Sequence, residues 1–163
     1  TLACLAGGAT GVVSVDSSAP ALDLGRANLA RSPALDASRA QWIEADVFAE
    51  LRRLRDTGAS FDLIVLDPPK FAPTAAHAER AARAYKDINL LALKLLAPGG
   101  HLATFSCSGG IGPDLFQKIV AGAAQDARAD AVIVGRFAAS ADHPVALAFP
   151  EGEYLKGLLV RKA

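Results

Sequence analysis

The sequence lacks methionine altogether and has few cysteine and aromatic residues. Of its 163 residues two are cysteine, one is tryptophan and 6% are aromatic. So few cysteines favour a reducing compartment and exclude a disulfide framework. No apolar run reaches the roughly 18 to 20 residues that span a bilayer, and no signal peptide is evident. The sequence therefore predicts a cytoplasmic protein with no membrane partner.

Net charge is also absent. Seventeen basic and 17 acidic side chains give a formal charge of zero. The chain as a whole is therefore not an electrostatic nucleic-acid binder, and any RNA affinity must come from a local patch or from another domain. No metal site is predicted. A hydrophobic fraction of 52% provides ample core for one globular domain.

The strongest single pattern is FDLIVLDPPKF, from Phe61 to Phe71. Its continuous apolar run predicts a strand buried on both faces in the middle of a parallel sheet. The strand must stop at Asp67, because Pro68 and Pro69 have no backbone N–H and a fixed φ. Asp67 then lies at the carboxyl edge, where open α/β sheets bind ligands. The alternative is a surface turn with a capping aspartate.

The remaining elements alternate between strands and helices, which predicts an α/β fold with a doubly wound, mostly parallel sheet. The predicted strands are Val12–Asp16, Gln41–Ala45, His101–Phe105 and Ala131–Phe137. The predicted helices are Ala19–Ala30 (with Leu22, Ala27 and Leu29 inward), Val47–Arg55, His77–Leu96 and Pro113–Ala127. Val145–Phe149 and Tyr154–Val160 are either an antiparallel pair or one strand with an extended flanking segment.

The start of the sequence resembles the interior of a protein. Thr1 to Ala6 reads as the end of a helix capped by Gly7 and Gly8, because too few residues separate it from Val12 for a parallel crossover. With no methionine and a threonine first, the sequence predicts an internal fragment whose first strand and glycine turn lie upstream.

Three aspartates end successive predicted strands, namely Asp16, Asp46 and Asp67. Parallel strands bring their carboxyl ends to one edge, so these side chains are predicted to converge on one crevice. An acid after the second strand binds ribose hydroxyls in both nicotinamide and S-adenosylmethionine folds. Asp46 with Val47 offers an adenine site or, equally, a helix N-cap. Ser17 and Ser18 are further N-cap candidates.

Cys107 lies in a predicted open turn, flanked by Ser106, Ser108 and two glycines and close to the helix that starts at Pro113. That environment increases the thiolate fraction, so Cys107 is a candidate nucleophile. Cys4, within an apolar helical run, is predicted to be inert.

Six ordered strings carry a family resemblance: VVSVD, FDLIVLDPPKF, YKDIN, TFSCSG, ADHP and PEGEYLKG. Together they span almost the whole chain, which resembles the catalytic domain of the bacterial 23S ribosomal RNA large-subunit methyltransferase I family. Members are class I, Rossmann-like enzymes that use S-adenosylmethionine to make 5-methylcytosine. The departure is at the front, where the family's N-terminal RNA-binding domains, first strand and cofactor glycine loop are missing.

The resemblance implies a site on matching residues. Asp16 with Ser17 would bind the ribose of S-adenosylmethionine, and Asp46 with Val47 its adenine. Asp67 to Pro69 would meet the methionine side and the target base, with Cys107 and Asp67 as the catalytic pair.

The substrate-binding candidates are Pro69, Lys70, Phe71, Lys86 and His143. Lys70 and Lys86, with Arg80 and Arg83, could hold phosphates of 23S ribosomal RNA. Phe71 either stacks on the base or plugs the core beneath the loop, and His143 either lines the base pocket or is a turn residue.

Two alternatives to this function are a methyltransferase acting on a base nitrogen without a thiol, and an inactive truncated piece. If the first strand is absent, the strands that end at Asp16 and Asp67 are predicted to have backbone N–H and C=O groups without hydrogen-bond partners. The gap would be filled by another chain (a homo-oligomer or strand exchange), by rearrangement of Thr1 to Gly8, or by upstream residues. The chain alone would then bind S-adenosylmethionine weakly or not at all.

Overall fold

The computed structural model describes residues 1–71 and 78–163. The chain divides into two compact units, Thr1–Arg53 and Leu54–Ala163. No helix within the described ranges is long and apolar enough to cross a membrane.

The first unit is built on a parallel pair of strands. Its elements are α1 (Leu2–Ala6), β1 (Val12–Asp16), α2 (Ala19–Ala30), β2 (Ala40–Glu44) and the start of α3 (Val47–Asp56). β1 and β2 pair in register from Val12 opposite Ala40 to Asp16 opposite Glu44. The predicted strands and helices of this unit are confirmed to within a residue or two.

α1 confirms that the chain begins in a helix. Gly7 is its C-cap and donates its N–H to the Ala3 carbonyl, while Gly8 has a φ of 93° that suits glycine. The alternative in which Thr1 to Gly8 rearranges to fill a strand position is therefore wrong, because these backbone groups are used within the helix turn.

α2 begins where the sequence predicts. Ser18 accepts a hydrogen bond from the Ala21 N–H on its side-chain oxygen, and a proline occupies the first turn. Leu22 and Leu29 are buried, as predicted, but Ala27 is exposed. Ala27 lies five positions after Leu22, about 140° around the helix, so it falls off the buried face.

The second unit holds a four-stranded sheet with two helices on one face. Its elements are β3 (Phe61–Leu66), α4 (Ala78–Leu95), β4 (Leu96–Ser106), α5 (Pro113–Ala127), β5 (Ala131–Phe137) and β6 (Lys156–Lys162). The strand order is β3-β4-β6-β5, with β3 and β4 parallel and β6 antiparallel to both neighbours. The α/β class is confirmed. Within residues 1–71 and 78–163 the strands form two separate sheets, β1-β2 and β3-β4-β6-β5.

The core of this unit lies between α4, α5 and one face of the sheet. Alternate residues of β4 and β6 point to that face, including Leu102, Leu158 and Val160. The helices contribute Tyr85 and Phe116, whose rings meet edge to face with centroids 5.6 Å apart.

β3, the strand of the FDLIVLDPPKF pattern, is less buried than its sequence predicts. Leu66 is only 5% exposed, but Leu63 and Val65 are 47% and 54% exposed. β3 is an edge strand of its sheet in the described residues, so the prediction of a central strand buried on both faces is wrong there. An apolar run cannot report which face a helix covers.

Two boundaries also differ. β4 begins at Leu96 instead of His101, since Ala97 to Gly100 form an irregular stretch between the pairs Phe61–Leu96 and Leu63–His101. Val145–Phe149 forms no strand, so the predicted antiparallel pair is wrong and the single-strand alternative is right. The predicted start of α4 at His77 falls outside the described residues.

Candidate active site

Asp16 and Asp46 lie at one edge of the two-stranded sheet. The Ala45 N–H donates to the Asp16 carbonyl over 3.0 Å, which keeps the ends of β1 and β2 together. Each carboxylate also accepts a nearby backbone N–H over 2.8 Å, Asp16 from Ser18 and Asp46 from Ala49. The N-cap role of Asp46 is thereby confirmed, and Ser18 rather than Ser17 caps α2.

The same residues fit the nucleoside part of S-adenosylmethionine. Both carboxylates are exposed and use one oxygen locally, so each has a second oxygen that can accept a hydroxyl or amino donor. Val47 and Phe48 are half-buried beside Asp46 and offer an apolar wall. Ser17 is exposed next to Asp16. The ribose and adenine roles of these residues stay predictions.

Asp67 and Cys107 lie at one edge of the four-stranded sheet. β3 and β4 are parallel neighbours with Leu66 opposite Thr104, so Asp67 and Cys107 follow adjacent strand ends. Asp67 and Pro69 are exposed, whereas Pro68 and Cys107 are half-buried. The nucleophile hypothesis needed Cys107 at this edge, and the topology places it there.

The loop that carries Cys107 is held by its neighbours. Ser106 and Ser108 are completely buried on either side of it. Ser108 uses every polar group: its N–H donates to Ser106 Oγ over 3.3 Å, its Oγ bonds the Tyr85 hydroxyl over 2.9 Å, and its carbonyl accepts from Lys156 Nζ over 2.7 Å. The residues on both sides of Cys107 are therefore tied to α4 and β6.

A cavity of about 580 Å³ opens beside this loop. Its size falls in the range of small-molecule and cofactor sites. It is bounded by the glycine turn that leads into α5, by Lys70, by the segment from Pro150 to Tyr154, and by Lys156. Its charged groups are of both signs, because Glu151 and Glu153 face the same space as the two lysines.

Lys156 is the site residue that the sequence analysis missed. It is 9% exposed, and its ammonium group donates to the carbonyls of Ser108 and Ile111 over 2.7 and 2.5 Å. Burial lowers the pKa of Lys156 from its ordinary value, the charge of Cys107 opposes that change, and Lys70 adds to it. A signal was available, since Lys156 alternates with Leu158 and Val160 on the inward face of β6.

Three predicted substrate contacts have protein partners. Lys86 forms an ion pair with Asp126 over 2.8 Å, between α4 and α5. The Phe71 ring meets Tyr85 edge to face with centroids 4.8 Å apart. This contact fits the alternative in which Phe71 packs within the protein. His143 is exposed in a turn, its N–H bonded to the Ser140 carbonyl. Roles for these residues and for Lys70 in substrate binding stay predictions.

Curated relatives carry names that match the sequence motifs. Proteins from Aeromonas salmonicida (strain A449) and Shewanella amazonensis (strain ATCC BAA-1098 / SB2B) are 56% and 54% identical over 157 and 154 residues. Both are named ribosomal RNA large subunit methyltransferase I. The alignments cover 96% and 94% of this chain and 39% of each relative, so the chain spans about two fifths of their length.

Solved structures share the fold. SMU.776, crystallised with SAH, superposes with a TM-score of 0.81 at 21% identity, over 95% of this chain and 40% of that one. TrmN from Thermus thermophilus gives 0.64 at 21%, over 99% and 39%. The family model described as S-adenosylmethionine-dependent methyltransferase matches residues 1–159. The chain therefore belongs to the S-adenosylmethionine-dependent methyltransferase family.

Proposed function

We propose that the protein transfers a methyl group from S-adenosylmethionine to C5 of a cytosine in 23S ribosomal RNA, in the cytoplasm, through an adduct between Cys107 and C6 of the base. The observation that carries this proposal is the position of Cys107. It lies at the carboxyl edge beside Asp67, in a loop held by Tyr85 and Lys156. The names of the relatives support ribosomal RNA as the substrate.

Cytosine C5 is a weak nucleophile, and a thiolate makes it a stronger one. Addition of the Cys107 sulfur to C6 moves an electron pair onto C5, which then takes the methyl group. S-adenosylmethionine supplies that group as an electrophilic sulfonium methyl. Loss of the C5 proton to a base restores the C5–C6 double bond, breaks the S–C6 bond and releases the thiolate.

The other residues bind and orient. Asp67 hydrogen-bonds the N3/N4 edge of the cytosine and stabilises the adduct, while Pro68 and Pro69 keep the loop rigid against the base. The cytosine must leave its stack to reach the thiol. The cavity of about 580 Å³ is lined by Lys70, by Lys156 and by the glycines that follow Cys107, and its volume is large enough for a nucleoside next to the catalytic pair.

The remaining assignments carry over the predictions made from the sequence. Asp16, Ser17, Asp46 and Val47 hold the adenosine part of the cofactor. Lys70, Lys86 and His143 contact RNA, a role that requires Lys86 to share its charge with Asp126. Phe71 packs against Tyr85 and supports the loop that carries Lys70.

Replacement of Cys107 by alanine in the full-length protein tests the proposal. Methyl transfer should be lost while the affinity for S-adenosylmethionine, measured by calorimetry, stays within about twofold, because the thiol acts on the base. Cys4→Ala, which removes the second cysteine of these 163 residues, is the matched control and should keep full activity. More than a few per cent of residual 5-methylcytosine in Cys107→Ala would overturn the covalent mechanism. A product methylated on a base nitrogen, identified by mass spectrometry, would instead support the thiol-independent alternative.

A further inference from the structure

Lys156 stands directly beside the strand end that presents Cys107. In the antiparallel pairing of β4 with β6 it lies opposite Ser106. From there its ammonium group reaches the carbonyls of Ser108 and Ile111, the first residue after Cys107 and the last before the turn into α5. One side chain thus ties both ends of the loop that follows the thiol to a single point on the sheet.

Burying this charge is costly, which makes its position informative. Two carbonyl dipoles replace only part of the water that an ammonium loses on burial. The lowered pKa of Lys156 reflects that loss, and the negative charge of Cys107 partly restores it. The ammonium group also bonds the carbonyl of Ser108, the residue next to Cys107, so a positive charge lies close to the thiol.

Lys162 shows what a purely structural lysine looks like in the same strand. It lies on the same face of β6, and its Nζ also donates to two backbone carbonyls, those of Leu93 and Leu96, over 3.1 and 2.7 Å. Those carbonyls belong to the end of α4 and the start of β4, at the opposite edge of the sheet from Cys107. Lys162 is therefore an internal control for Lys156.

We propose that Lys156 is a positioning residue for Cys107: its ammonium group fixes the loop that carries the sulfur and supplies the positive charge that favours the thiolate. The catalytic meaning of this inference rests on the proposed function, but the effect on the thiol does not. Other ionisable groups near the site are Lys70, which also favours the thiolate, and Asp67, Glu151 and Glu153, whose negative charges oppose it. The hydroxyls of Tyr85 and Tyr154 face it as well.

Alkylation of Cys107 by iodoacetamide tests the proposal without any substrate. In a Cys4→Ser background, Lys156→Met should slow the reaction at neutral pH about tenfold and raise the pH of half-maximal reaction by about one unit, since the thiolate is the reactive form. Lys162→Met should leave both within about twofold of the parent. Equal effects of the two variants, with both folded by circular dichroism, would overturn the proposal.

Two further variants separate the hydrogen bonds that Lys156 donates to the loop from its positive charge. Lys156→Gln keeps a neutral donor, so it should show the shift in pH, whereas Lys156→Arg keeps the charge and should restore most of the parent profile. If Lys156→Met fails to fold, this pair decides the matter, and identical profiles for Gln and Arg would overturn the proposal. If no variant folds, the alkylation of the native protein is measured against pH. A half-maximal rate reached only at or above about pH 8.5, the value of an ordinary thiol, would overturn the proposal.

Turnover distinguishes this inference from the proposed function. Lys156→Gln should lower kcat at least about tenfold with KM for RNA and for S-adenosylmethionine nearly unchanged, because the lysine acts through the thiol. An active Cys107→Ala enzyme with a shifted alkylation profile in Lys156→Gln would refute the proposed function and leave this inference standing. An inactive Cys107→Ala enzyme, together with an unshifted alkylation profile in Lys156→Gln, would support the proposed function and refute this inference.

Discussion

The two units hold their site residues in different ways. In Thr1–Arg53 the strand-end carboxylates bond within two or three residues of themselves, Asp16 to Ser18 and Asp46 to Ala49. In Leu54–Ala163 the bonds around the Cys107 loop cross the sequence, joining residues 23 and 48 positions apart. The first kind forms as soon as its own turn forms. The second kind exists only when helix, loop and sheet are assembled together.

That contrast teaches where stability and function are coupled. A change in the first unit should act on one turn and leave the rest intact. A change around Ser108 should weaken the fold and disturb Cys107 together, because the same bonds serve both.

The largest effect is expected at the bond between Tyr85 and Ser108. Ser108→Ala leaves a buried hydroxyl without its partner, so it should lower the free energy of unfolding by about 1 to 3 kcal/mol. Tyr85→Phe should cost a similar amount, and the double variant less than the sum. Urea unfolding of the four proteins measures the coupling, and strictly additive losses would show that the bond contributes nothing of its own.

Asp16 tests whether a locally bonded carboxylate also binds the cofactor. Asp16→Asn in the full-length protein should weaken S-adenosylmethionine binding about tenfold, because a ribose hydroxyl loses a charged acceptor. Asp36→Asn is the matched control, since Asp36 Oδ1 accepts the Ser38 N–H in the same two-residue arrangement. If calorimetry finds equal, small losses of S-adenosylmethionine affinity in both variants, Asp16 only stabilises its own turn.

The cap of α2 should show a smaller, purely local effect. Ser18→Ala removes the acceptor of the Ala21 N–H and should lower the free energy of unfolding by about 1 kcal/mol. Ser17→Ala, one residue earlier and exposed, should cost less than about 0.5 kcal/mol. A loss at Ser17 as large as that at Ser18 would contradict the cap assignment.

Glu50 should give the smallest effect, and one that depends on pH. Hydrogen bonds from the Arg53 guanidinium hold the pKa of Glu50 below its ordinary value of 4.5. The unfolded chain binds the proton more readily, so the stabilisation is present above about pH 4.5 and is lost as pH falls through the lower folded pKa. Glu50→Gln should cost about 0.3 to 0.5 kcal/mol near pH 7, and the difference should vanish in acid. A difference that persists there would point to packing.

The sequence predicted best what is decided locally. Ser18 followed by Pro20 marks the start of α2, and Asp67 followed by two prolines marks the end of β3, because those residues act on their own backbone. The exposure of Val65 was not predictable, since it depends on which face of the sheet the helices cover.

Long-range contacts explain the rest of what was missed. From the sequence alone Lys156 would be placed on the surface, because nothing in it shows that its strand lies opposite Ser106. The single tyrosine hydroxyl that reaches Ser108 likewise needs the packing of α4 against the sheet. The fold class and the position of Cys107 were available from motifs, whereas the means by which that thiol is held were not.

The place of β6 in the sheet has a consequence for protein synthesis. β6 lies between β4 and β5 although it follows both in the sequence. A chain emerging from the ribosome can pair β3 with β4, but β4 and β5 must wait for the strand that joins them. Lys156 arrives with that strand, 48 residues after the serine that it tethers. A nascent chain therefore carries Cys107 for some time before its surroundings exist, because the loop that holds this thiol is completed only when β6 joins the sheet.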